Sequence, residues 1–222
     1  MIVLALDTCL EACSVGVSLD AAGAPVVASA VIGRGHAERL MPMLADVLGR
    51  AGIRAAEIGR IGVTVGPGSF TGVRIGIAAA RGLALVTRAE TVSLGTLAAL
   101  AARARALAGP RPVLAALDAR RGEVYAQFFG ADGLPRTGPE VGAAAAFAAR
   151  LAGADALAGS GAAAIAAAAP APVAILHEER YPDIATLLAM ARAAPPDAAR
   201  PRPLYLRPPD ARPQDHAGVA RL

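Results

Sequence analysis

A duplicated α/β fold is what the sequence predicts, on three observations. Apolar strands alternate with helical stretches along the chain. The segment IVLALD at 2–7 returns as VLAALD at 113–118, each followed by a turn, a return strand and an Asp/Gly turn at nearly the same offset. Such self-similarity marks an internal repeat. Gly109, Pro110 and Pro112 then punctuate the chain just before the second copy. The expected organisation is a first lobe over 1–109, a second, degenerate lobe over 110–207 and an extended tail over 208–222.

The elements follow in order. Residues 2–7 and 12–19 read as strands, with a tight turn at Asp20 to Gly23. A helix is expected from His36 to Ala51, then a strand over 61–65, the glycine turn of VGPGSFTGVR, a helix from Gly72 to Arg88 and another near 94–107. The second copy gives strands at 113–118 and 123–130, alanine-rich helices at 143–151 and 162–169, short strands at 156–158 and 173–176, and a last helix at 184–194. Beyond Pro195 the proline- and arginine-rich chain reads as extended and superficial.

Composition narrows the chemistry. All 22 basic residues are arginine. Without lysine there is no Schiff-base enzyme, no Walker lysine and no kinase lysine. The formal charge of +4 permits RNA contact, but the 3% aromatic content offers little for base stacking. Two cysteines cannot build a disulfide framework, and no secretory signal opens the chain, so a reducing cytoplasm is expected. The apolar runs 77–80 and 83–86 are interrupted by Arg81 and Gly82, which argues against a membrane span.

The glycine turn is the first candidate site. Backbone N–H groups at a helix start attract anions, so Asp7, Gly66, Gly68, Ser69, Thr71 and Gly72 form a candidate anion or nucleotide loop. The alternative is a tight strand-to-helix turn with a side-chain cap, and it is favoured. The Walker spacing and lysine are absent, and Thr71 stands where a dinucleotide fingerprint needs its third glycine. Other constellations are incomplete. His36-Ala-Glu38 lacks a downstream Pro-Cys-x-x-Cys, and a helical metal pair would need a ligand at Leu40. Cys9 and Cys13 read as small buried residues, and His177 and His216 as solvated surface groups. Asp118 and Glu123 read as partners of Arg120 or Arg121 rather than as an acid–base pair. No cofactor and no metal site is expected.

The helices at 36–51 and 72–88 carry more apolar surface than a sheet-facing helix requires. Gly72, Gly76, Ala80 and Ala84 recur every fourth position, a spacing that lets another helix approach closely. Either both helices are buried inside their own lobe or a protein partner covers them, and the surplus on two neighbouring helices favours the partner.

An aspartate closing each first strand resembles the sugar kinase, Hsp70 and actin superfamily, although the glycine usually found two residues later is Cys9 in one copy and Arg120 in the other. More specifically, LALDTCLEACSVGV, GHAERLMPMLADVL, VGPGSFTGVRIGIAAARGLAL, LAALDARRGEVY and PLYLR, taken in order, resemble the bacterial TsaB (YeaZ) family. That resemblance implies an actin-like fold and a non-catalytic dimerisation subunit in making threonylcarbamoyladenosine beside the tRNA anticodon. It implies pairing with TsaD, which carries the metal and transfers the group, recruitment of the ATPase TsaE, a homodimer when TsaD is missing, and tRNA contact only through the complex. TsaD-like proteins hold metal with a His-x-x-x-His pair, of which only His36 is present here. The implied contact surface is Leu40, Met41, Met43, Leu44, Val47 and Leu48 with Gly72, Arg74, Ile75, Gly76, Ala79, Ala80 and Leu83. On this reading Gly76→Arg or Leu44→Asp leaves a folded lobe unable to join its partner. The rival expectations are a peptidase, a nucleotide-binding actin-like ATPase, and a direct RNA binder using the arginine tail.

Overall fold

Both sheets grow from a central apolar strand whose alternate residues serve opposite faces. In the computed structural model, which describes residues 1–153 and 155–207, β1 (Ile2–Asp7) sends Leu4 and Leu6 to one core and Val3 and Ala5 to another. The expected tail 208–222, with His216, lies outside the described residues. β1 pairs antiparallel with β2 (Ala12–Ser18), β2 with β3 (Val26–Val31), and β1 pairs parallel with β4 (Ile58–Gly66), followed by β5 (Glu90–Gly95). The order is β3-β2-β1-β4-β5.

The second sheet repeats it. β6 (Val113–Asp118) pairs antiparallel with β7 (Glu123–Phe129), β7 with β8 (Glu140–Ala143), and β6 pairs parallel with β9 (Ala156–Ala158), then β10 (Ile175–His177). Its order, β10-β9-β6-β7-β8, is the first sheet's order read from the other end. The duplication suggested by two short sequence matches is therefore one of whole topology.

Helices cover all four sheet faces: two are covered by helices of their own repeat, and the other two by an exchange. α1 (His36–Ala51) and α2 (Phe70–Thr87) cover one face of the first sheet; α4 (Ala144–Ala148) and α5 (Ala162–Ala168) cover one face of the second. α3 (Thr96–Ala108) closes the first repeat in sequence but packs Leu97, Leu100 and Ala104 on β6 of the second sheet. α6 (Ile184–Ala193) closes the second repeat but packs Leu187, Leu188 and Ala191 on the first sheet, against Val3 and Ala5. A boundary at 109 thus separates the sheets and not the packing: α6 belongs to the first core because its apolar side fits the bare face of β1.

Local differences have local causes. The strand at 26–31 was not read from sequence, because VVASAV mixes small residues without clean alternation, and the four-residue β8 gives too short a pattern. The helix near 94–107 starts at Thr96 because the residues before it belong to β5. α2 starts two residues earlier than expected because Ser69 caps it. The helix at 143–151 shrinks to five residues.

Candidate protein interface and sealed turn

The glycine turn wraps the hairpin between β1 and β2. Gly66, with φ of +110°, precedes a cis Pro67, and Ser69 donates its N–H to the Cys9 carbonyl at 2.7 Å. The Ser69 hydroxyl accepts from the Gly72 N–H at 3.0 Å, capping α2, and Thr8 Oγ1 donates to the Gly72 carbonyl at 2.7 Å. A Cβ at Gly68 would stand 2.4 Å from the Cys9 carbonyl oxygen, and one at Gly72 2.0 Å from that of Thr8. These glycines are required because the hairpin backbone lies directly against the turn and leaves no room for a side chain. Ser69 supplies the side-chain cap expected at this turn.

Asp7 is sealed beneath. Its side chain is inaccessible; Oδ1 accepts from Thr64 Oγ1 at 2.5 Å and from the Cys9 N–H at 3.1 Å, while Oδ2 has no partner among the described residues. Burial pushes its carboxyl above the usual range, outweighing the hydrogen bonds from Thr64 and Cys9 that lower it. The Cys9 thiol donates to Thr64 Oγ1 at 3.0 Å and is pushed up by burial and by Asp7; burial raises the Cys13 thiol to about 11. Of the candidate loop, only Gly68 and Ser69 reach the space between the lobes, and Thr71 points to solvent.

That space is a cleft of about 620 Å³, walled by Leu10, Phe70, Leu117 and Tyr125 and rimmed by Asp118, Arg120, Ser160, Arg180 and Arg207. Its polar groups are largely engaged. The Asp118 N–H donates to Ser160 Oγ, its Oδ1 accepts from the Arg120 N–H at 2.8 Å, and Arg180 reaches Glu11 across the cleft at 3.7 Å. Glu123 pairs with Arg207 rather than with Arg120. His177 is not solvated: its side chain is 7% exposed, with Nε2 3.1 Å from the Leu100 carbonyl. His36 is buried as well. Among the described residues no three His, Cys, Asp or Glu side chains gather as a metal site.

The helices separate into one that is satisfied and one that is not. Leu40, Met43, Leu44, Val47 and Leu48 of α1 are buried in the first lobe's own core, leaving Met41 exposed. The broad apolar arc is needed because α1 covers both β2 and β3. On α2, Gly72, Gly76 and Ala80 are buried too, and the small-residue stripe faces inward: a Cβ at Gly76 would meet Thr8 Oγ1 at 2.7 Å. The stripe admits a hairpin, not a partner helix. Gly76→Arg and Leu44→Asp therefore damage the lobe itself and cannot report on docking.

The outer face of α2 is another matter. Arg74, Ile75, Ala79 and Leu83 from the expected surface are exposed or half-buried, and beside them lie Ala78, Gly82, Leu85 and Val86, the last two 74% and 83% exposed. Two arginines of this face, Arg74 and Arg81, are drawn to one border. Arg74 donates to the Tyr205 hydroxyl at 2.7 Å and lies 3.6 Å over the Phe70 ring, which stacks on Tyr205; Arg81 holds the Pro201 carbonyl. Beside them runs a strip of small and apolar side chains that ends at the exposed Arg88. Period-based reading left Leu85 and Val86 out of the expected surface because the position of the sheet, not the wheel alone, decides which side faces out. At 18 residues α2 is long and apolar enough to cross a membrane by length and composition, but its inner side is fixed to β4 and Thr8.

Two like-ordered sheets flanking a cleft, with exchanged terminal helices and a sealed first hairpin, define an actin-like α/β protein, here with one helix whose outer apolar face is exposed. The family model described as TsaD, tRNA N6-adenosine threonylcarbamoyltransferase, matches residues 26–176. YeaZ from Pseudomonas aeruginosa superposes with a TM-score of 0.77 at 35% identity, over 92% of this chain and 99% of that one. A further Pseudomonas aeruginosa structure, described as similar to peptidase YeaZ, gives a TM-score of 0.78 at 35% identity, over 93% of this chain and 99% of that one. The chain is 43% identical over 125 residues to the Escherichia coli tRNA threonylcarbamoyladenosine biosynthesis protein TsaB, covering 56% of this chain and 53% of that protein. It is 38% identical over 122 residues to the Haemophilus influenzae protein of the same name, covering 55% and 51%. These alignments span about half the length of the curated relatives. The chain belongs to the TsaB/YeaZ family.

Proposed function

We propose that this protein is a non-catalytic dimerisation subunit in the cytoplasmic synthesis of threonylcarbamoyladenosine on tRNA. Its α2 outer face joins a larger TsaD-like partner, and the pair recruits a TsaE-like ATPase; without the partner the same face meets a second copy. Transfer chemistry and tRNA contact reside in the complex. The observation that carries this reading is the strip Ala78, Gly82, Leu85 and Val86, small or apolar and exposed, beside Arg74 and Arg81, which bond the 201–205 segment. Exposed apolar strips of this kind mark protein contacts.

Co-expression with a TsaD-like partner followed by size-exclusion chromatography tests it. Ala78→Arg and Leu85→Asp lie on the outside, so each folds normally by circular dichroism yet elutes apart from the partner. Normal co-elution of either variant would sink the assigned surface. The peptidase and ATPase rivals make a different prediction: micromolar ATP binding with turnover, or peptide cleavage by the isolated chain, would overturn a non-catalytic role.

A further inference from the structure

The first sheet ends in a strand whose edge is open. Three of the four sheet edges are protected: Asp197 caps β5 by donating its N–H to the Thr91 carbonyl and accepting from the Ser93 N–H, β10 is three residues long, and β8 is four residues long and flanked by the Glu140–Arg150 ion pair. β3 has six residues, no charge, no proline and no bulge. Natural edge strands usually carry one of those devices against pairing with another chain.

The parity of its backbone can be read from two contacts. Ile32 donates its N–H inward to the Glu11 carbonyl beyond β2, so 28 and 30 also bond inward. The Val27 carbonyl points outward, where Arg50 Nη2 reaches it at 3.3 Å. Val27, Ser29 and Val31 therefore present their N–H and C=O groups to the open edge. Among the described residues, Arg50 on Val27 is the single hydrogen bond to those groups. Their side chains share the α6 face of the sheet: Val27 packs against that helix's apolar side, while Ser29 and Val31 further along the strand are exposed, Val31 by 60%.

We propose that this edge pairs antiparallel with β3 of a second copy, joining the two first-lobe sheets into one. The sequence around Ser29 is what selects a copy of the same chain over a foreign strand. With Ser29 opposite Ser29, Ala28 faces Ala30 and Val27 faces Val31, so every cross-strand pair is matched in size and polarity, as a two-fold contact requires. Three outward residues per strand give about six interchain backbone hydrogen bonds in that register. The pairing also buries Val31 against Val27 of the second copy and replaces the long Arg50 contact. It uses the sheet end of the lobe and leaves α2 free.

The test uses the whole chain carrying Ala78→Arg, so that the α2 face cannot associate, studied by sedimentation velocity over a rising concentration series. Ala78→Arg alone shifts towards twice the monomer mass, while Ala78→Arg with Val31→Pro stays at monomer mass, because proline removes an outward N–H that the monomer does not use. Ala78→Arg with Val31→Lys, which keeps that N–H but adds charge at the edge, weakens association without abolishing the fold. Hydrogen exchange at the Val27, Ser29 and Val31 amides slows with concentration in the first protein and not in the proline variant. A monomer at every concentration for Ala78→Arg, or a dimer that survives Val31→Pro, overturns the pairing.

Discussion

The two copies of the repeat build the same hairpin and the same strand-to-helix turn, and the contrast between them separates what the fold needs from what a ligand would need. In both, glycine lets the turn press on the hairpin: a Cβ at Gly72 would stand 2.0 Å from the Thr8 carbonyl oxygen, and one at Gly159 2.3 Å from that of Ala116. In both, an aspartate ends the first strand. Yet Asp7 is inaccessible under Thr8 and Cys9, whereas Asp118 is exposed on the cleft. The first copy has turned its hairpin into packing and lengthened the following helix to 18 residues, against seven in the second. Close approach of turn and hairpin is thus a property of the architecture; an open aspartate is not.

The largest expected break in this comparison is at the glycines. Gly72→Ala forces Thr8 backbone to move and costs about 3 kcal/mol or more. Gly161→Ala, whose Cβ would meet Ala116 at 3.1 Å, costs about 1 kcal/mol because small shifts relieve it. Chemical denaturation of both variants checks the ratio, and equal losses would mean that the two turns are equally sealed.

The aspartates differ next. A carboxyl whose pKa is raised on folding binds a proton more tightly in the native state, so stability is full below the unfolded value and falls as pH rises through the folded one. One such group contributes a slope of up to about 1.4 kcal/mol per pH unit in that window. Asp7→Asn should flatten the decline of stability above pH about 4, the unfolded aspartate value. Asp118→Asn, exposed, should leave the profile's shape unchanged. Coincident profiles for wild type and Asp7→Asn would show that Asp7 is not the group responsible.

Two smaller effects probe the helix that only the first copy lengthened. Gly82 has open space where a Cβ would go, so Gly82→Ala raises the melting temperature, worth about 0.5–1 kcal/mol by helix propensity. Leu85→Asp, at a side chain 74% exposed, changes the isolated protein's stability by less than about 0.5 kcal/mol. A large destabilisation from Leu85→Asp would mean that the outer face is already covered within the chain.

Much of the architecture was legible because it rests on short-range signals. IVLALD and VLAALD announce buried strands, and the serine before Phe-Thr-Gly announces a capped helix. The exchange of α3 and α6 was not legible, since an alanine- and leucine-rich helix fits either sheet and only long-range packing chooses. The site was half legible for a related reason. Apolar excess on α1 and α2 is plain in sequence, but which part of it is surplus depends on β3, whose small, weakly alternating residues concealed the strand that α1 covers. The inward stripe of Gly72, Gly76 and Ala80 looked like a docking seam because a groove for a helix and a groove for a hairpin demand the same small residues.

The crossed terminal helices have a consequence for how the chain is born. A nascent polypeptide leaves the ribosome amino terminus first, and self-contained domains begin folding as they emerge. Here β1 to β5 can all be outside the tunnel while one side of their sheet stays wet, since the helix meant for it is made some ninety residues after β5 ends. The earliest strands stay wet on that side until α6 has been made, so a chain cut before Ile184 is damaged in its first half as well as in its second.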